Sequence, residues 1–316
     1  MTTVVVATAY GGPEVLALHE VELGEPGPGD VLVDLHAIGA NPYDAKAYSG
    51  QFGTDPARLP MRIGSEAAGI VRAVGSGVEG PGGPIQVGDE VIVYPVVGAY
   101  AGAVIAPATS ILPKPSTMDF EEASGLILAG VTAVHALMVT AVAAGDTVLI
   151  HGASGGVGLM AVQLAHNSGA RVIATASASR HEYLRGLGAE PVLYGEGLAE
   201  RVRALAPEGV DAALDLIGTD EALDVSVELV ANRERIATIN GFAHGFELGV
   251  KVLGFAPGAD AGQVVRGNAR MEIVRQAEAK NLAVLIAASY PLAEVAEAHR
   301  ASEQGHVRGK LVLLVG

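Results

Sequence analysis

Three glycines at every third position, Gly152, Gly155 and Gly158, occur within IHGASGGVGLMAVQLA, the segment from Ile150 to Ala165. A short apolar run ends at Ile150, as in a buried parallel strand, and the apolar residues after the glycines recur at helical spacing. Glycines let the backbone turn tightly, and the free N–H groups at the start of a helix favour a phosphate. The segment therefore predicts a dinucleotide-binding turn. A glycine turn that joins strand and helix for steric reasons alone is the alternative.

The end of the next predicted strand, Arg171 to Ala176, bears on which dinucleotide binds. Sites that prefer NAD carry an acidic residue about 20 positions beyond the glycines, where it accepts from the ribose 2′-hydroxyl. This chain has Thr175 and Ser177 there, followed by Arg180, and its first acidic residue is Glu182. Hydroxyls donate to a 2′-phosphate and a guanidinium pairs with it. The prediction is NADPH over NADH, with a solvated Ser/Arg loop as the alternative.

Composition argues against several classes of protein. The net charge of −15, from 20 basic and 35 acidic residues, disfavours nucleic acid or an anionic membrane as a partner. The absence of cysteine precludes disulfides and fits a cytoplasmic enzyme. The first residues lack the basic start and cleavage site of a signal peptide.

Two uncharged stretches are long enough to cross a bilayer, Val91 to Pro113 and Ala123 to Gly145. Prolines and glycines interrupt the first, which favours strands and turns over a membrane helix. The second follows Asp119 and Glu122, which have the spacing of a helix-capping box. It is better explained by a buried helix beside a parallel sheet, so we expect no membrane insertion.

The chain of 316 residues is long enough for two domains. Residues 1–119 contain short alternating segments separated by Gly and Pro clusters, which predict a mainly antiparallel domain. Over residues 120–256 helices and strands alternate, and six strands with crossovers predict a doubly wound parallel sheet. Residues 257–316 depart from this alternation. We expect them to return to the first domain, which would put the active site in the cleft between the two.

The predicted strands of both domains are bounded by turn residues. They are Thr3–Ala9, Leu16–Val21, Asp30–Ala40, Ala67–Val74, Glu90–Pro95, Thr147–Ile150, Arg171–Ala176, Pro191–Tyr194, Ala212–Asp215, Arg235–Ile239 and Lys251–Phe255. Helices are predicted between the later strands and in the tail, at Val157–Ser168, Arg180–Leu187, Leu198–Leu205, Glu221–Leu229, Gly262–Lys280 and Leu292–Ser302. The tail also contains extended segments, Ala283–Tyr290 and Lys310–Val315.

Several short motifs follow one another in a fixed order along the chain. They are Ile38-Gly-Ala-Asn-Pro-Tyr-Asp44, Gly64-Ser-Glu-Ala-Ala-Gly69 with Ala73-Val-Gly75, Val87-Gly-Asp-Glu-Val91, the turn Gly152 to Gly158, and Gly305-His-Val-Arg-Gly-Lys310. Together they resemble the zinc-independent quinone oxidoreductase branch of the medium-chain dehydrogenase/reductase superfamily. The resemblance implies a Rossmann domain inserted into a barrel-like (GroES-like) catalytic domain, and a homodimer.

The resemblance implies hydride transfer from NADPH to a small molecule, either a quinone or an α,β-unsaturated carbonyl. The residues that it assigns to the cofactor are Ser154, Gly155, Gly156 and Val157 at the pyrophosphate, Ser177, Arg180 and Tyr194 at the 2′-phosphate, Asn41 and Thr132 near the nicotinamide, Ile217, Asn240, Gly241 and Phe242 along the cofactor, and Lys310 from the closing segment. For Tyr194, an ordinary half-buried strand tyrosine is the alternative.

No metal site is predicted. The chain has no Cys, its nine His are scattered without ligand spacing, and Ser65 precedes Glu66 where zinc-dependent relatives place a His. Without a metal an isolated carbonyl is not strongly polarised, whereas a quinone or enone is already electrophilic. Asn41, Tyr43 and Lys310 are the candidate donors to the developing oxyanion. Tyr43 as a hydrophobic wall is the alternative, and water is left as the proton source.

Two other functions stay open. Lys46 and Phe52 stand where some quinone reductases place tyrosines, and the pattern around Lys46 is similar to members that act on enones or enoyl thioesters. An enoyl-thioester reductase is therefore one alternative, although Lys46 as a solvated surface lysine explains the same residue. A protein that binds NADPH without significant turnover is the other.

Overall fold

The computed structural model describes residues 1–305 and 307–316, so His306, a member of the closing motif, lies outside the described residues. The chain forms two compact units. Unit 1 consists of Met1–Leu128 and Arg270–Gly316, and unit 2 of Ala129–Ala269.

Residues 1–126 are built mainly from short strands. They are β1 (Thr2–Ala7), β2 (Leu16–Val21), β3 (Asp30–Ala40), β4 (Met61–Arg62), β5 (Ala67–Val74), β6 (Glu79–Gly80), β7 (Gly83–Pro84), β8 (Glu90–Val93), β9 (Ala103–Pro107) and β10 (Ile111–Pro113), with helices α1 (Pro42–Tyr48) and α2 (Phe120–Ser124). Helix α3 (Ile127–Val139) then leads into unit 2.

Unit 2 alternates strands and helices. Its elements are β11 (Thr147–His151), α4 (Gly156–Asn167), β12 (Arg171–Thr175), α5 (His181–Gly186), β13 (Ala189–Val192), α6 (Leu198–Leu205), β14 (Ala212–Asp215), α7 (Asp220–Leu229), β15 (Ile236–Thr238), α8 (Phe242–Leu248) and β16 (Lys251–Val252). Helix α9 (Gln263–Glu278) spans the division between the units, and the tail of unit 1 follows with β17 (Ile286–Pro291), α10 (Val295–Glu303) and β18 (Lys310–Leu314).

The main sheet of unit 1 is centred on β3. Its order is β10-β8-β5-β3-β18-β17, with β9 also paired to β3, and β3 is antiparallel to β5, β9 and β18. Residues Val31, Val33 and Leu35 of β3 lie on one face of the strand, two positions apart, and are buried in the core. From the tail, β18 pairs antiparallel with β3.

The sheet of unit 2 is entirely parallel and has the order β13-β12-β11-β14-β15-β16. The chain order reverses between β11 and β14, where the carboxyl ends of strands in doubly wound sheets leave a crevice for a ligand. Leu149, Ile173 and Ala213, from three adjacent strands, are buried in the core of this unit. The predicted fold class, a parallel doubly wound sheet together with a mainly antiparallel unit, is confirmed.

Most predicted elements lie within two residues of the observed ones at both ends. Three differ by three residues at one end: the strand predicted to reach Phe255, the extended segment predicted from Ala283 and the helix predicted from Leu292. The strand predicted at Pro191–Tyr194 lies two residues earlier, at Ala189–Val192, because it pairs with β12 and ends opposite Thr175. The strand predicted to reach Phe255 ends at Val252, and Gly254 then takes a φ of +139°. The strand predicted to reach Ala9 ends at Ala7.

The two uncharged stretches form the kinds of element that the sequence predicted. The first contains β8, β9 and β10, and the second contains α3, whose thirteen residues follow the capping box of Asp119 and Glu122. Among the residues that the structure describes, no helix has both the length and the apolar character that a bilayer crossing requires.

Candidate functional site

The glycine turn of unit 2 brings a strand, a helix and a neighbouring loop into close approach. Gly152 takes a φ of +69°, in the left-handed region that glycine adopts without strain. A Cβ on Gly158 would lie only 2.3 Å from the carbonyl oxygen of Gly152, so helix α4 can approach the end of β11 only without a side chain there. The turn is therefore shaped by close backbone approach, which is the geometry a pyrophosphate cradle requires.

The residues predicted at the pyrophosphate are at the start of α4. Gly155 is the N-cap residue, and the helix begins at Gly156. Ser154, Gly155, Gly156 and Val157 are all partly exposed, whereas Gly158 is buried. The leading N–H groups of the helix thus lie at an accessible surface, where the helix dipole favours an anion.

We expect Gly158→Ala to destabilise the protein by about 1–3 kcal/mol, the usual cost of overpacking, because the added carbon would collide with the Gly152 carbonyl. Urea or thermal unfolding measures the change. Gly186→Ala is the matched control, since a Cβ there has open space around it. Equal stability of the two variants would contradict the close-approach argument.

The segment after β12 bears on the adenosine end of a dinucleotide. Thr175 is buried, and its hydroxyl accepts a hydrogen bond from the Gly152 N–H at 3.3 Å, so it serves the turn rather than facing solvent. Ser177 and Ser179 are exposed or partly exposed, with their hydroxyl oxygens 3.2 Å apart, and Arg180 ends the same short 3-10 turn. These residues present hydroxyls and a guanidinium together at one edge of the sheet.

Tyr194 lies two residues beyond the end of β13 and is 60% exposed, so it is not a half-buried strand residue. Its loop is held by Arg201. The Arg201 guanidinium donates to the carbonyl oxygens of Leu193, Tyr194, Gly195 and Glu196, at 2.7–3.3 Å. The backbone around Tyr194 is therefore fixed although its ring is open to solvent.

Asp215, which sequence analysis did not single out, connects the two loops that carry several predicted cofactor residues. It is the last residue of β14 and fully buried, and burial raises the pKa of its carboxyl group. One oxygen accepts from the N–H groups of Ile217 and Gly218, at 3.1 and 2.7 Å. The other accepts from the Thr238 hydroxyl at 2.6 Å.

Thr238, the last residue of β15, continues this network. Its hydroxyl oxygen accepts from the N–H groups of Asn240 and Gly241, at 3.2 and 2.9 Å. The Asn240 amide donates to the Ile217 carbonyl at 2.8 Å, so the structure brings these two predicted residues together. Phe242 begins α8 next to them, whereas Thr132 is buried separately on α3.

His151, beside the glycine turn, has a packing role. It is buried at the end of β11 with a ring nitrogen 3.1 Å from the Ser226 hydroxyl. Burial lowers the pKa of His151 to about 3, so the imidazole is neutral at physiological pH.

In unit 1, three adjacent strands of the sheet bring a buried ion pair together. Asn41 follows β3, Glu66 precedes β5 and Lys310 begins β18. The Lys310 ammonium donates to a Glu66 carboxylate oxygen at 3.0 Å and to the Asn41 side-chain oxygen at 2.5 Å. Glu66 is 0% and Lys310 6% exposed, so neither charge has substantial access to water.

The remaining polar atoms of this cluster also have partners. The Asn41 amide donates to the Gly39 carbonyl at 3.0 Å and to Glu66 at 3.3 Å, and the second Glu66 oxygen accepts from the Leu128 N–H at 2.8 Å. Both amide protons of Asn41 are thus committed within the protein. In this arrangement Asn41 offers a lone pair rather than the N–H donor that the sequence suggested for an oxyanion.

Glycines make room for the ion pair. A Cβ on Gly39 would lie 2.7 Å from a Glu66 carboxylate oxygen and 2.4 Å from the Ser124 carbonyl, and a Cβ on Gly125 would lie 3.0 Å from the Lys310 side chain. The cluster therefore depends on backbone positions without side chains as well as on its charges.

We expect Lys310→Met and Glu66→Gln each to destabilise the protein by about 3–5 kcal/mol, because either change leaves the other polar group buried without its partner. The double variant should lose less stability than the sum of the losses in the two single variants. A double-mutant cycle measured by urea unfolding provides the test. Strict additivity would show that the two side chains do not stabilise each other.

Tyr43 and Lys46 lie on α1, both partly exposed. The Tyr43 ring packs against Phe52 with centroids 5.7 Å apart, and burial raises the pKa of its hydroxyl, so Tyr43 stays a protonated donor at neutral pH. Burial lowers the pKa of Lys46, which is therefore not a fully solvated lysine.

The side chains that the structure describes around Glu66 do not form a metal site. Within residues 1–305 and 307–316 no group of three or more His, Cys, Asp or Glu side chains has a geometry that could hold a metal ion. Ser65 and Asn41 flank Glu66, whose carboxylate is already held by Lys310 and by the Leu128 N–H. This set of donors does not fit a zinc site of three protein ligands.

Two family descriptions match the chain in the order of its elements. "Alcohol dehydrogenase GroES-like domain" matches residues 27–116, and "Zinc-binding dehydrogenase" matches residues 156–279. A quinone oxidoreductase of Pseudomonas aeruginosa is 37% identical over 77% of this chain and 75% of its own length. A quinone oxidoreductase of Pongo abelii is 30% identical over 97% of this chain and 95% of its own length.

Solved structures agree with these relatives. A mycobacterial protein complexed with NADPH has a TM-score of 0.84 at 31% identity, covering 99% of this chain and 100% of its own. An NAD-dependent alcohol dehydrogenase has a TM-score of 0.86 at 32% identity over 99% and 100% of the two chains. The CurK enoyl reductase has a TM-score of 0.86 at 26% identity over 100% and 99%.

The chain therefore belongs to the quinone oxidoreductases of the medium-chain dehydrogenase/reductase superfamily, as its motifs predicted. Its antiparallel unit is the GroES-like domain of that fold, and its parallel sheet is the Rossmann domain.

Proposed function

We propose that this protein is an NADPH-dependent, zinc-independent oxidoreductase that reduces a quinone or an α,β-unsaturated carbonyl. The observation that carries the proposal is the glycine turn of unit 2, where a Cβ on Gly158 would reach within 2.3 Å of the Gly152 carbonyl. That contact lets the start of the twelve-residue helix α4 pack close against the end of β11, so the leading N–H groups of the helix are placed to bind a pyrophosphate.

The cofactor residues predicted in unit 2 keep their roles in this proposal. The residues proposed to hold NADPH in unit 2 are Ser154, Gly155, Gly156 and Val157 at the pyrophosphate, Ser177, Arg180 and Tyr194 at the 2′-phosphate, and Thr132, Ile217, Asn240, Gly241 and Phe242 along the remainder. Bound NADPH would supply a hydride at C4 of its nicotinamide. The hydrogen bonds from Asp215 and Thr238 would keep the two loops in place without direct contact to the cofactor.

The choice of NADPH rests on the residues after β12. Similar structures include both an NADPH complex and an NAD-dependent enzyme, so the fold alone does not decide the cofactor. In this chain the buried Thr175 ends the strand, and Ser177 and Arg180 follow before the first acidic residue, Glu182. A 2′-phosphate would meet donors there rather than a repelling carboxylate.

We expect Arg180→Ala to weaken NADPH binding about 10- to 100-fold, the loss of a charge-assisted hydrogen bond of about 1.5–3 kcal/mol. NADH lacks the 2′-phosphate and should bind nearly as before. Titration calorimetry of both dinucleotides gives the two affinities. Arg185→Ala, an exposed arginine five positions further along, is the matched control. Equal losses for NADPH and NADH would contradict the phosphate assignment.

The side chains of unit 1 bear on which kind of substrate could accept the hydride. The set around Glu66 does not fit zinc, so the proposed acceptor is one that is electrophilic without a Lewis acid. The Tyr43 hydroxyl, which stays protonated, is proposed to donate a hydrogen bond to the oxygen of the substrate. Asn41 and Lys310 remain in the proposed site. Asn41 would accept a hydrogen bond there, and the Lys310 ammonium orients the Asn41 side chain.

An enoyl-thioester reductase is the second candidate, favoured by the similarity to the CurK enoyl reductase and by the partly buried Lys46. Both reactions add a hydride to a conjugated double bond, so the substrate and not the cofactor separates them.

Oxidation of NADPH should accelerate with quinones and enones and much less with a thioester. Stopped-flow measurement with 1,4-naphthoquinone, phenanthrenequinone, an alkenal and crotonyl-CoA side by side makes the comparison. Fast turnover of crotonyl-CoA alone would establish the second candidate instead. Tight NADPH binding without turnover of any acceptor would exclude both.

A further inference from the structure

A chain of hydrogen bonds crosses the interior of unit 1 and ends at the carboxyl group of Asp44. The Tyr48 hydroxyl lies 2.8 Å from His299 Nδ1, and Nε2 of that ring lies 2.9 Å from the Tyr100 hydroxyl. Tyr100 donates to Asp44 Oδ2 at 3.2 Å, and the Ser65 hydroxyl donates to Asp44 Oδ1 at 2.6 Å. Every member except Ser65 is at most 2% exposed.

The directions of these hydrogen bonds follow from the protonation state of His299. Burial lowers the pKa of His299 to about 4, so its neutral ring has one donor and one acceptor nitrogen at physiological pH. Because Tyr100 donates to Asp44, its oxygen accepts from His299 Nε2–H, and Nδ1 accepts from Tyr48. Each proton in the chain therefore points toward Asp44. Such an aligned chain stabilises a negative charge on that carboxyl group.

The same geometry decides where a proton on Asp44 resides. Oδ2 accepts from the Asn41 backbone N–H at 3.0 Å as well as from Tyr100, and a backbone donor cannot reverse its role. The proton therefore belongs on Oδ1, facing Ser65. A serine hydroxyl can accept that proton and direct its own O–H elsewhere. Within the otherwise buried residues 63–69, Ser65 is the partly exposed position, so it forms the outlet of the chain.

We propose that Asp44 and Ser65 together are the proton donor of the reductase reaction, with Asp44 storing the proton and Ser65 as the catalytic residue that touches the acceptor. This inference rests on the proposed function. It deepens that function by naming the source of the proton that must accompany the hydride.

For an enone, the β-carbon would gain a C–H bond from a hydride and its two electrons, which bound NADPH would supply and by which it would be oxidised. The π electrons move to the carbonyl oxygen, which takes the proton of the Ser65 O–H bond. Ser65 takes the proton from Asp44 Oδ1, which leaves an enol and a carboxylate. Water returns a proton to Asp44 through Ser65 after the product leaves.

Several groups set the acidity of Asp44. Burial raises the pKa of its carboxyl group to about 6, while the hydrogen bonds from Ser65 and Asn41 and the charge of Lys310 lower it and the charge of Glu66 raises it. The titratable and charged groups that face Asp44 are Glu66, Lys310, Tyr43, Tyr48 and Tyr100, with His299 behind Tyr100. The protonated fraction falls as the pH rises through about 6, so the rate of enone reduction should fall over the same range.

Ser65→Ala tests the proposal by removing only the outlet hydroxyl. We expect enone reduction to fall about 10²- to 10⁴-fold, the usual contribution of a general acid. The rate of reduction of an electron-poor quinone should fall less than about tenfold, because the oxygen of its product is weakly basic and depends less on a proton donor. Ser65→Thr keeps a hydroxyl and should restore most of the rate. Ser116→Ala is the matched control, because it removes another serine–carboxylate hydrogen bond of unit 1, to Glu278 at 2.5 Å, and should leave the rate unchanged.

A second measurement needs neither coenzyme nor acceptor. Carboxyl ¹³C NMR of the free protein should show Asp44 titrating near pH 6. In Ser65→Ala the pKa of Asp44 should rise, because the lost hydrogen bond favours the carboxylate. NADPH affinity should stay the same in both proteins.

The outcomes separate the two proposals. If Ser65→Ala reduces enones at the wild-type rate, or if Asp44 titrates below about pH 4 like an ordinary carboxyl group, the proton-donor inference is overturned and the proposed function stands. If the wild-type protein reduces neither enones nor quinones, the proposed function fails and the inference falls with it, whatever the titration shows.

Discussion

The ion pair between Glu66 and Lys310 is the interaction on which unit 1 depends, because its partners come from chain segments separated by the whole of unit 2. Removing both charges from water costs several kcal/mol for each ion. The protein offsets this cost with short hydrogen bonds from the Lys310 ammonium to Glu66 and Asn41, and from the Leu128 N–H to the far carboxylate oxygen. The neighbouring ladder of β18 with β3 fixes the register that brings the ammonium to the carboxylate.

The same requirement recurs at the other buried carboxyl groups. Asp44 accepts hydrogen bonds from a backbone N–H, a tyrosine hydroxyl and a serine hydroxyl. Asp215 accepts them from two backbone N–H groups and a threonine hydroxyl. Each of these acids stands at the end of a strand or the first turn of a helix, where backbone N–H groups are available. A buried acid thereby holds a loop or helix start in one position, which is the condition for a precise site.

The regular parts of the fold could be predicted from the sequence because local patterns specify them. Strands β2, β3, β5 and β14 have the predicted bounds, and α4 begins one residue before its prediction. Strands β9 and β10 were expected only as unplaced strands within the stretch Val91 to Pro113. Strands β4, β6 and β7 and helices α1 and α8 were not predicted, because they are short and lie among glycines and prolines that predict turns. The partners of Asn41 could not be predicted, since they arrive from β5 and β18 through the pairing of the sheet. Asp215 carried only a weak signal, an acid at the end of an apolar strand.

Thr175 couples the second strand of the parallel sheet to the glycine turn, since its hydroxyl accepts the Gly152 N–H. An acid introduced to reverse the proposed preference for NADPH could not be placed at this position, which is only 3% exposed, without burying a new charge. Ser177, partly exposed and two residues later, is free of that constraint. Coenzyme engineering in this scaffold therefore has to begin beyond the strand rather than at its last residue.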